Sequence, residues 1–331
     1  MNAARVDHEN PKNAQWLFVD WTMGTACNYK CSYCPPELHD GRRAFPQPER
    51  VVAFANTLAA HSEKLQRAVF IQFTGGEITL YSHLPFVLKE LKARGIHCGL
   101  ISNASRSLAC WREIAPWLDA AVLTHHIEFA DLDHFREIAR MLSEQIRTHI
   151  QITMLPSRFA DCLESAQAIR AACPRAFIGL KPLRKSFGAE LYDYTPEQLE
   201  TLRRPPVAPA CDPLPGGVRG RMLLREGTSS AAFSAGQILA CGLNHWHGWR
   251  CYAGQELLAI SAEGEIYRGL CRQGGSFGNM NATYVLPVES VVCEHRSCSC
   301  LTDIMTTKIQ IDVRPAGECF ADSIREVSSR A

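Results

Sequence analysis

Between positions 16 and 202 six short apolar runs alternate with six helix-like stretches, and that alternation restricts the possible folds more than any other feature of the chain. The strand-like runs fall at 16–23, 68–73, 97–102, 120–124, 150–155 and 176–180. The run Ala68-Val69-Phe70-Ile71-Gln72-Phe73 is apolar on both faces, as strands of a parallel sheet covered by helices are. The stretches at 51–64, 84–93, 108–118, 132–145, 160–172 and 195–202 carry apolar residues at helical spacing. Local punctuation agrees: Pro48 falls near a first turn, Gly95 suits a C-cap, Pro116 cuts a helix short, and Thr195-Pro196 reads as N-cap and N1. An α/β fold follows. Eight such units close a barrel and six do not. A partial (β/α)6 TIM-like barrel fits the count, and in such a core functional residues are expected at the C-terminal ends of the strands.

The 331 residues suffice for this core and a smaller second domain. The reading divides them into a polar lead-in at 1–14 without fixed structure, the barrel at 15–202, a Pro- and Gly-rich linker at 203–240, and a second domain at 241–331. A formal charge of +1 gives no electrostatic case for nucleic acid or a membrane surface. The lead-in has no apolar signal region, and no run of 18 apolar residues is present. Fifteen cysteines without an export signal point to a reducing cytoplasm and metal-bound thiols, not to a disulfide framework. Cys98, Cys110, Cys162 and Cys173 sit in apolar patterns and read as ordinary core residues.

The strand ends carry the chemistry. The first run leads into Cys27-Asn28-Tyr29-Lys30-Cys31-Ser32-Tyr33-Cys34. Three thiolates at this spacing can hold three irons of a cubane iron–sulfur cluster and leave the fourth iron open, the mark of a catalytic site. A zinc knuckle is the competing reading of the same thiols. The second run ends in Gly75-Gly76-Glu77, the third in Ser102-Asn103, the fourth in Thr124-His125-His126-Ile127-Glu128, and the sixth in Lys181-Pro182-Leu183-Arg184; Met154 lies on the fifth. Adjacent His125 and His126 must point to opposite sides of a strand, so at least one is expected to reach the cavity as a substrate contact or proton carrier. A structural histidine is the alternative.

The cysteine octet followed by Gly75-Gly76-Glu77 at the next strand end resembles the signature of the radical S-adenosylmethionine (radical SAM) superfamily. Tyr33 matches the aromatic residue before the last cysteine, while Ile78 stands where a proline is common. The resemblance implies a [4Fe–4S] cluster on Cys27, Cys31 and Cys34 and SAM bound at its open iron. Gly75, Gly76 and Glu77 would meet the amino group of SAM's methionine, and Ser102 and Asn103 its ribose or carboxylate. A polar turn capping the next helix is the plainer reading of Ser102 and Asn103. Arg184 would pair with the SAM carboxylate or an anionic substrate, or else form a surface ion pair. Met154 would line the SAM site or be plain core. The implied reaction is reductive cleavage of SAM to a 5′-deoxyadenosyl radical that takes hydrogen from a substrate. The electron would come from a donor such as flavodoxin or ferredoxin.

The last third adds a second cysteine group. Cys251 and Cys271 flank two β-like segments around Glu263-Gly264, and Cys293, Cys298 and Cys300 follow. This resembles the auxiliary-cluster module of radical SAM proteins, closer to its short twitch form than to SPASM, although the gap from Gly264 to Cys271 is longer than usual. Cys251, Cys271 and two of Cys293, Cys298 and Cys300 are then the expected ligands of a second, auxiliary [4Fe–4S] cluster; zinc is again the alternative. His245, His247 and His295 rank behind them, and Cys319 reads as incidental. Such a cluster could accept an electron in substrate oxidation or bond formation. A thiol such as Cys211 or Cys241 could instead return hydrogen in an epimerisation, and cleavage of another SAM bond stays open. With strand one beginning near Trp16, a small-molecule substrate is favoured over a peptide. A non-catalytic electron carrier or scaffold is the reading from another class; it requires four protein ligands at every site.

Overall fold

The computed structural model describes residues 4–188, 190–203 and 219–311. Its strands are β1 (Arg5–His8), β2 (Trp16–Thr22), β3 (Ala68–Thr74), β4 (His97–Ser102), β5 (Ala120–His125), β6 (Arg147–Met154), β7 (Phe177–Pro182), β8 (Met222–Glu226), β9 (Ser229–Phe233), β10 (Trp249–Cys251), β11 (Leu257–Ile260), β12 (Ile266–Tyr267), β13 (Val291–Val292) and β14 (Lys308–Gln310). The helices are α1 (Pro48–Leu65), α2 (Leu84–Lys92), α3 (Leu108–Ile114), α4 (Leu132–Ser143), α5 (Phe159–Ala172), α6 (Pro196–Arg203), α7 (Ala235–Ala240) and α8 (Leu301–Ile304). Two compact units result. One holds residues 21–56 and the described part of 71–217; the other holds the described residues among 1–20, 57–70 and 218–331. Among the described residues no helix is long and apolar enough to cross a membrane.

The first unit is the expected partial barrel. Its strands run β2-β3-β4-β5-β6-β7 in sequence order, and the pairs β4·β5, β5·β6 and β6·β7 are parallel. Each strand is followed by helical structure whose apolar stripe faces the sheet, as α4 shows: Asp131 caps it by accepting from His134 N, and Phe135, Ile138, Ala139 and Leu142 are buried. Pro116 ends α3 at Ile114 and starts a 3-10 turn. At α6 the Thr195 hydroxyl accepts from Gln198 N while Gln198 Oε1 accepts from Thr195 N, a capping box. Strand β6 begins at Arg147, three residues before the apolar run that announced it. The polar Arg147-Thr148-His149 concealed the start, since Thr148 is buried and Arg147 lies 4.6 Å over the Phe177 ring.

The second unit differs from the expected domain boundaries. The stretch 1–14 is not a lead-in without structure: β1 pairs with β14 on one side and β8 on the other, in the middle of an antiparallel sheet ordered β13-β10-β14-β1-β8-β9. Ala4 and Val6 are buried in this sheet's core with Leu224, Phe233, Ile238, Trp246 and Ile304. His8 Nε2 meets the buried Glu256 carboxylate at 3.2 Å, and Thr307 N donates to the same group at 2.8 Å. Nor is 203–240 all linker, because the hairpin β8–β9 and α7 belong to the sheet and its core. Four residues are too few for periodicity to reveal a strand whose partners lie more than 200 positions away. The hairpin β11–β12 falls where two segments around Gly264 were expected.

Candidate active site

In the barrel unit the C-terminal ends of β2 to β7 gather the predicted strand-end residues around the loop 24–34. The loop is docked by backbone contacts. Gly76 N donates to Gly24 O at 3.0 Å and Glu77 N to Ala26 O at 2.7 Å, so the turn after β3 holds the segment entering the cysteines. A Cβ on Gly76 would stand 2.2 Å from Ala26 O, and one on Gly75, at φ +141°, 2.5 Å from Gly24 O. These glycines are required by the approach of the cysteine loop itself.

Glu77 is fully buried. Its Oε1 accepts from Thr79 N (3.0 Å), Thr79 Oγ1 (2.5 Å) and Ser102 Oγ (2.7 Å), and its Oε2 from Asn103 N (2.7 Å). Burial pushes its carboxyl up and these donors oppose the shift. With four internal donors the carboxylate braces β3 against β4; in this conformation it offers no exposed edge to a ligand. Ser102 and Asn103 belong to the same brace. Asn103 also reaches the loop, its Nδ2 donating to Asn28 Oδ1 at 3.0 Å.

Cys31 is buried with Tyr33 and Leu183, and Cys34 packs against them. Burial pushes the thiols of Cys27, Cys31 and Cys34 upward, Cys31 to about 12, where the Glu128 carboxylate and the two neighbouring thiols add to the effect. All three are therefore protonated thiols at neutral pH. Among the described residues no three His, Cys, Asp or Glu side chains stand close enough to share one metal ion.

The two histidines part company, as alternation requires. His126 turns to the loop: its Nδ1 lies 2.7 Å from the Tyr33 hydroxyl and the rings stack at 6.0 Å. Burial, with Lys181 and His125 nearby, takes its pKa down to about 3, so it is neutral. His125 turns outward, edge-on to Phe135 of α4 at 5.1 Å, 1% exposed and with no hydrogen-bond partner on either nitrogen. The expectation that His125 serves substrate does not fit this placement. Met154 is also fully buried, its carbonyl accepting from Tyr194 at 2.5 Å, which leaves no surface to line a SAM site. The backbone of Arg184, beyond the end of β7, is bridged to Leu191. Lys181 of the same strand end was passed over in favour of Arg184, yet its charge acts on Cys34 and His126. No sequence signal separated the two, since the end of β7 at Pro182 is set by its pairing with β6.

In the other unit, Cys251 is buried on β10 opposite Lys308 of β14. The Asp303 carboxylate holds the Cys271 loop by accepting from Leu270 N (2.9 Å) and Cys271 N (2.6 Å). Asn244 brackets Cys298, accepting from its N at 2.8 Å and donating to its carbonyl at 2.9 Å. His245 and His247 face the carbonyls of Arg296 (3.2 Å) and Glu294 (3.1 Å). Cys293 N donates to Trp249 O at 2.9 Å. Burial raises the thiols of Cys251, Cys271 and Cys298, and each of these three feels at least one other thiol of the group. Cys300, pushed up to about 11 by burial, has Asp303 and Asp20 as its charged neighbours. Cys241 is exposed at the C-cap of α7, in the unit without the cysteine loop, and Cys211 lies outside the described residues.

Residues 21–140, which hold the cysteine loop and β3 to β5, match the family model of the Radical SAM superfamily, so the chain carries a radical SAM domain over that stretch. Among solved structures it is similar in fold to Streptococcus suis SuiB bound to precursor peptide SuiA, at 13% identity and TM-score 0.52, covering 82% of this chain and 64% of that one. SuiB bound to S-adenosylmethionine gives 13% identity and TM-score 0.50 over 82% of this chain and 63% of that one. The chain thus spans less than two thirds of the length of those structures. No curated protein matches it.

Proposed function

We propose that this chain is a radical SAM enzyme whose [4Fe–4S] cluster is held by Cys27, Cys31 and Cys34. One observation carries the reading: three free cysteines share a loop at the C-terminal strand ends of a six-stranded partial barrel, within the span that matches the Radical SAM superfamily. The donor set suits a cubane with one open iron. When bound, cluster and SAM would supply reductive carbon–sulfur cleavage and a carbon radical that takes hydrogen from substrate.

The protein's own part is placement. Gly75 and Gly76 admit the loop, Glu77 fixes the turn beneath it, and Asn103, His126 and Glu128 pin it. Lys181 brings positive charge beside Cys34, which suits an anionic group such as the SAM carboxylate. The small-molecule substrate expected from the sequence rested on where the first strand begins, and β1 now precedes that strand. A peptide is the second reading, supported by the fold likeness to SuiB in complex with its precursor peptide.

The second cysteine group is proposed to hold an auxiliary [4Fe–4S] cluster on Cys251, Cys271, Cys298 and Cys293. Support comes from the influence of Cys293 on Cys251, of Cys251 on Cys271, and of Cys251 and Cys271 on Cys298. Iron and sulfide content after anaerobic reconstitution tests both sites. About eight irons per chain, falling to about four in a Cys27/Cys31/Cys34→Ala variant, is expected. About four falling to none removes the auxiliary cluster. A reduced-cluster paramagnetic signal indifferent to added SAM sinks the catalytic reading.

A further inference from the structure

Within the cysteine octet Cys34 N donates to Cys31 O at 3.0 Å and Tyr29 N to Cys27 Sγ at 3.4 Å, and further order comes from outside. Much of it comes from one short turn after β5. His126 meets the Tyr33 hydroxyl at 2.7 Å and stands edge-on to Tyr29. Glu128 takes two hydrogen bonds from one residue, Ser32 N at 2.8 Å on Oε2 and Ser32 Oγ at 2.6 Å on Oε1. Phe129 stacks on Tyr29 at 5.4 Å. The turn is itself anchored, with Ala130 N donating to His126 O at 2.9 Å and Arg158 Nη1 to Ile127 O at 2.9 Å.

We propose that residues 126–129 are a clasp on the cysteine loop and that Glu128, its charged member, is a positioning residue that fixes the Cys31–Cys34 interval and makes the cluster's surroundings more negative; this rests on the cluster assignment above. The forked hydrogen bonds grip Ser32, the residue between Cys31 and the Tyr33-Cys34 pair, so they set where Sγ of Cys31 and Sγ of Cys34 can stand relative to each other. Charge-assisted hydrogen bonds are the stronger kind, and a carboxylate with both oxygens committed to one residue fixes orientation as well as distance. Negative charge near an iron–sulfur cluster disfavours adding an electron and lowers its potential.

The experiment compares full-length wild type, Glu128→Gln and Glu128→Ala, first metal-free and then after anaerobic reconstitution. In the metal-free proteins, hydrogen exchange across residues 27–34 is expected to quicken about tenfold in Glu128→Ala and to stay within about twofold of wild type in Glu128→Gln, since an amide still accepts from Ser32 N and donates to Ser32 Oγ. After reconstitution, Glu128→Ala is expected to release iron to a chelator about tenfold faster. Glu128→Gln should keep its iron while its midpoint potential, followed by paramagnetic resonance, moves to more positive values. Unchanged exchange and iron release in Glu128→Ala overturn the clasp, and an unmoved potential in Glu128→Gln overturns the electrostatic part. Wild type that takes up no iron overturns the cluster assignment, and the exchange data then decide the clasp separately.

Discussion

Replacing Gly76 by alanine tests how the site is assembled. The added Cβ would stand 2.2 Å from Ala26 O, 2.6 Å from Ala26 C and 2.9 Å from Thr25 C. All three are backbone atoms, so no side chain can swing away to relieve the contact. Relief requires the turn after β3 and the loop entering Cys27 to separate, which stretches Gly76 N→Gly24 O and Glu77 N→Ala26 O together. Overpacking of this kind costs about 1–3 kcal/mol, and two buried backbone hydrogen bonds add about 1 kcal/mol each, for a loss of about 3–5 kcal/mol. Gly95→Ala is the control. Its Cβ meets nothing within 4 Å but its φ is +69°, so backbone strain alone costs about 1 kcal/mol. Urea unfolding followed by far-UV circular dichroism measures both, and reconstituted iron content reports whether the loop still forms. A Gly76→Ala loss no larger than that of Gly95→Ala would refute the close-docking argument.

Three further outcomes follow from the buried polar groups. His125 is held neutral with its pKa lowered to about 4 by burial, below an unfolded value near 6.5. The unfolded chain therefore binds the extra proton first: His125 carries no protonation penalty above pH 6.5 and removes up to about 3 kcal/mol as pH falls toward 4. His125→Leu should reduce the slope of stability against pH between 4 and 6.5, where His126 and His149 also contribute, and an unchanged slope would show that His125 carries no such penalty. Glu77→Gln turns one acceptor oxygen into a donor facing N–H or O–H groups, an expected loss of about 2–4 kcal/mol in chemical denaturation. At Lys308, three carbonyls of Asp303, Ile304 and Thr306 accept the three ammonium hydrogens in a fully buried site. Lys308→Met leaves those carbonyls unpaired and should lower the thermal midpoint of unfolding, with an expected loss of about 2–4 kcal/mol; a midpoint within 1 °C of wild type would contradict that reading.

The sequence by itself determined the local periods and the motif spacings. Alternation of apolar runs with helical stretches marked six βα units, and the first cysteine group follows the end of β2 as its place after the first apolar run indicated. Helix ends at Pro116 and Thr195-Pro196 were legible because capping and ring geometry act within four residues. Only the tertiary structure decided which partners those residues meet. Gly75 and Gly76 serve the backbone of residues 24–26, some fifty positions away, and Glu77 turns inward to Thr79, Ser102 and Asn103. Of His125 and His126, identical in type and adjacent, one went to the helix layer and the other to Tyr33, because sheet register sets the facing. The strand at Arg5–His8 is stable only between β8 and β14, so nothing local could announce it. Spacing along the chain is a short-range quantity; burial and hydrogen-bond pairing are decided by segments that meet only when the chain is folded.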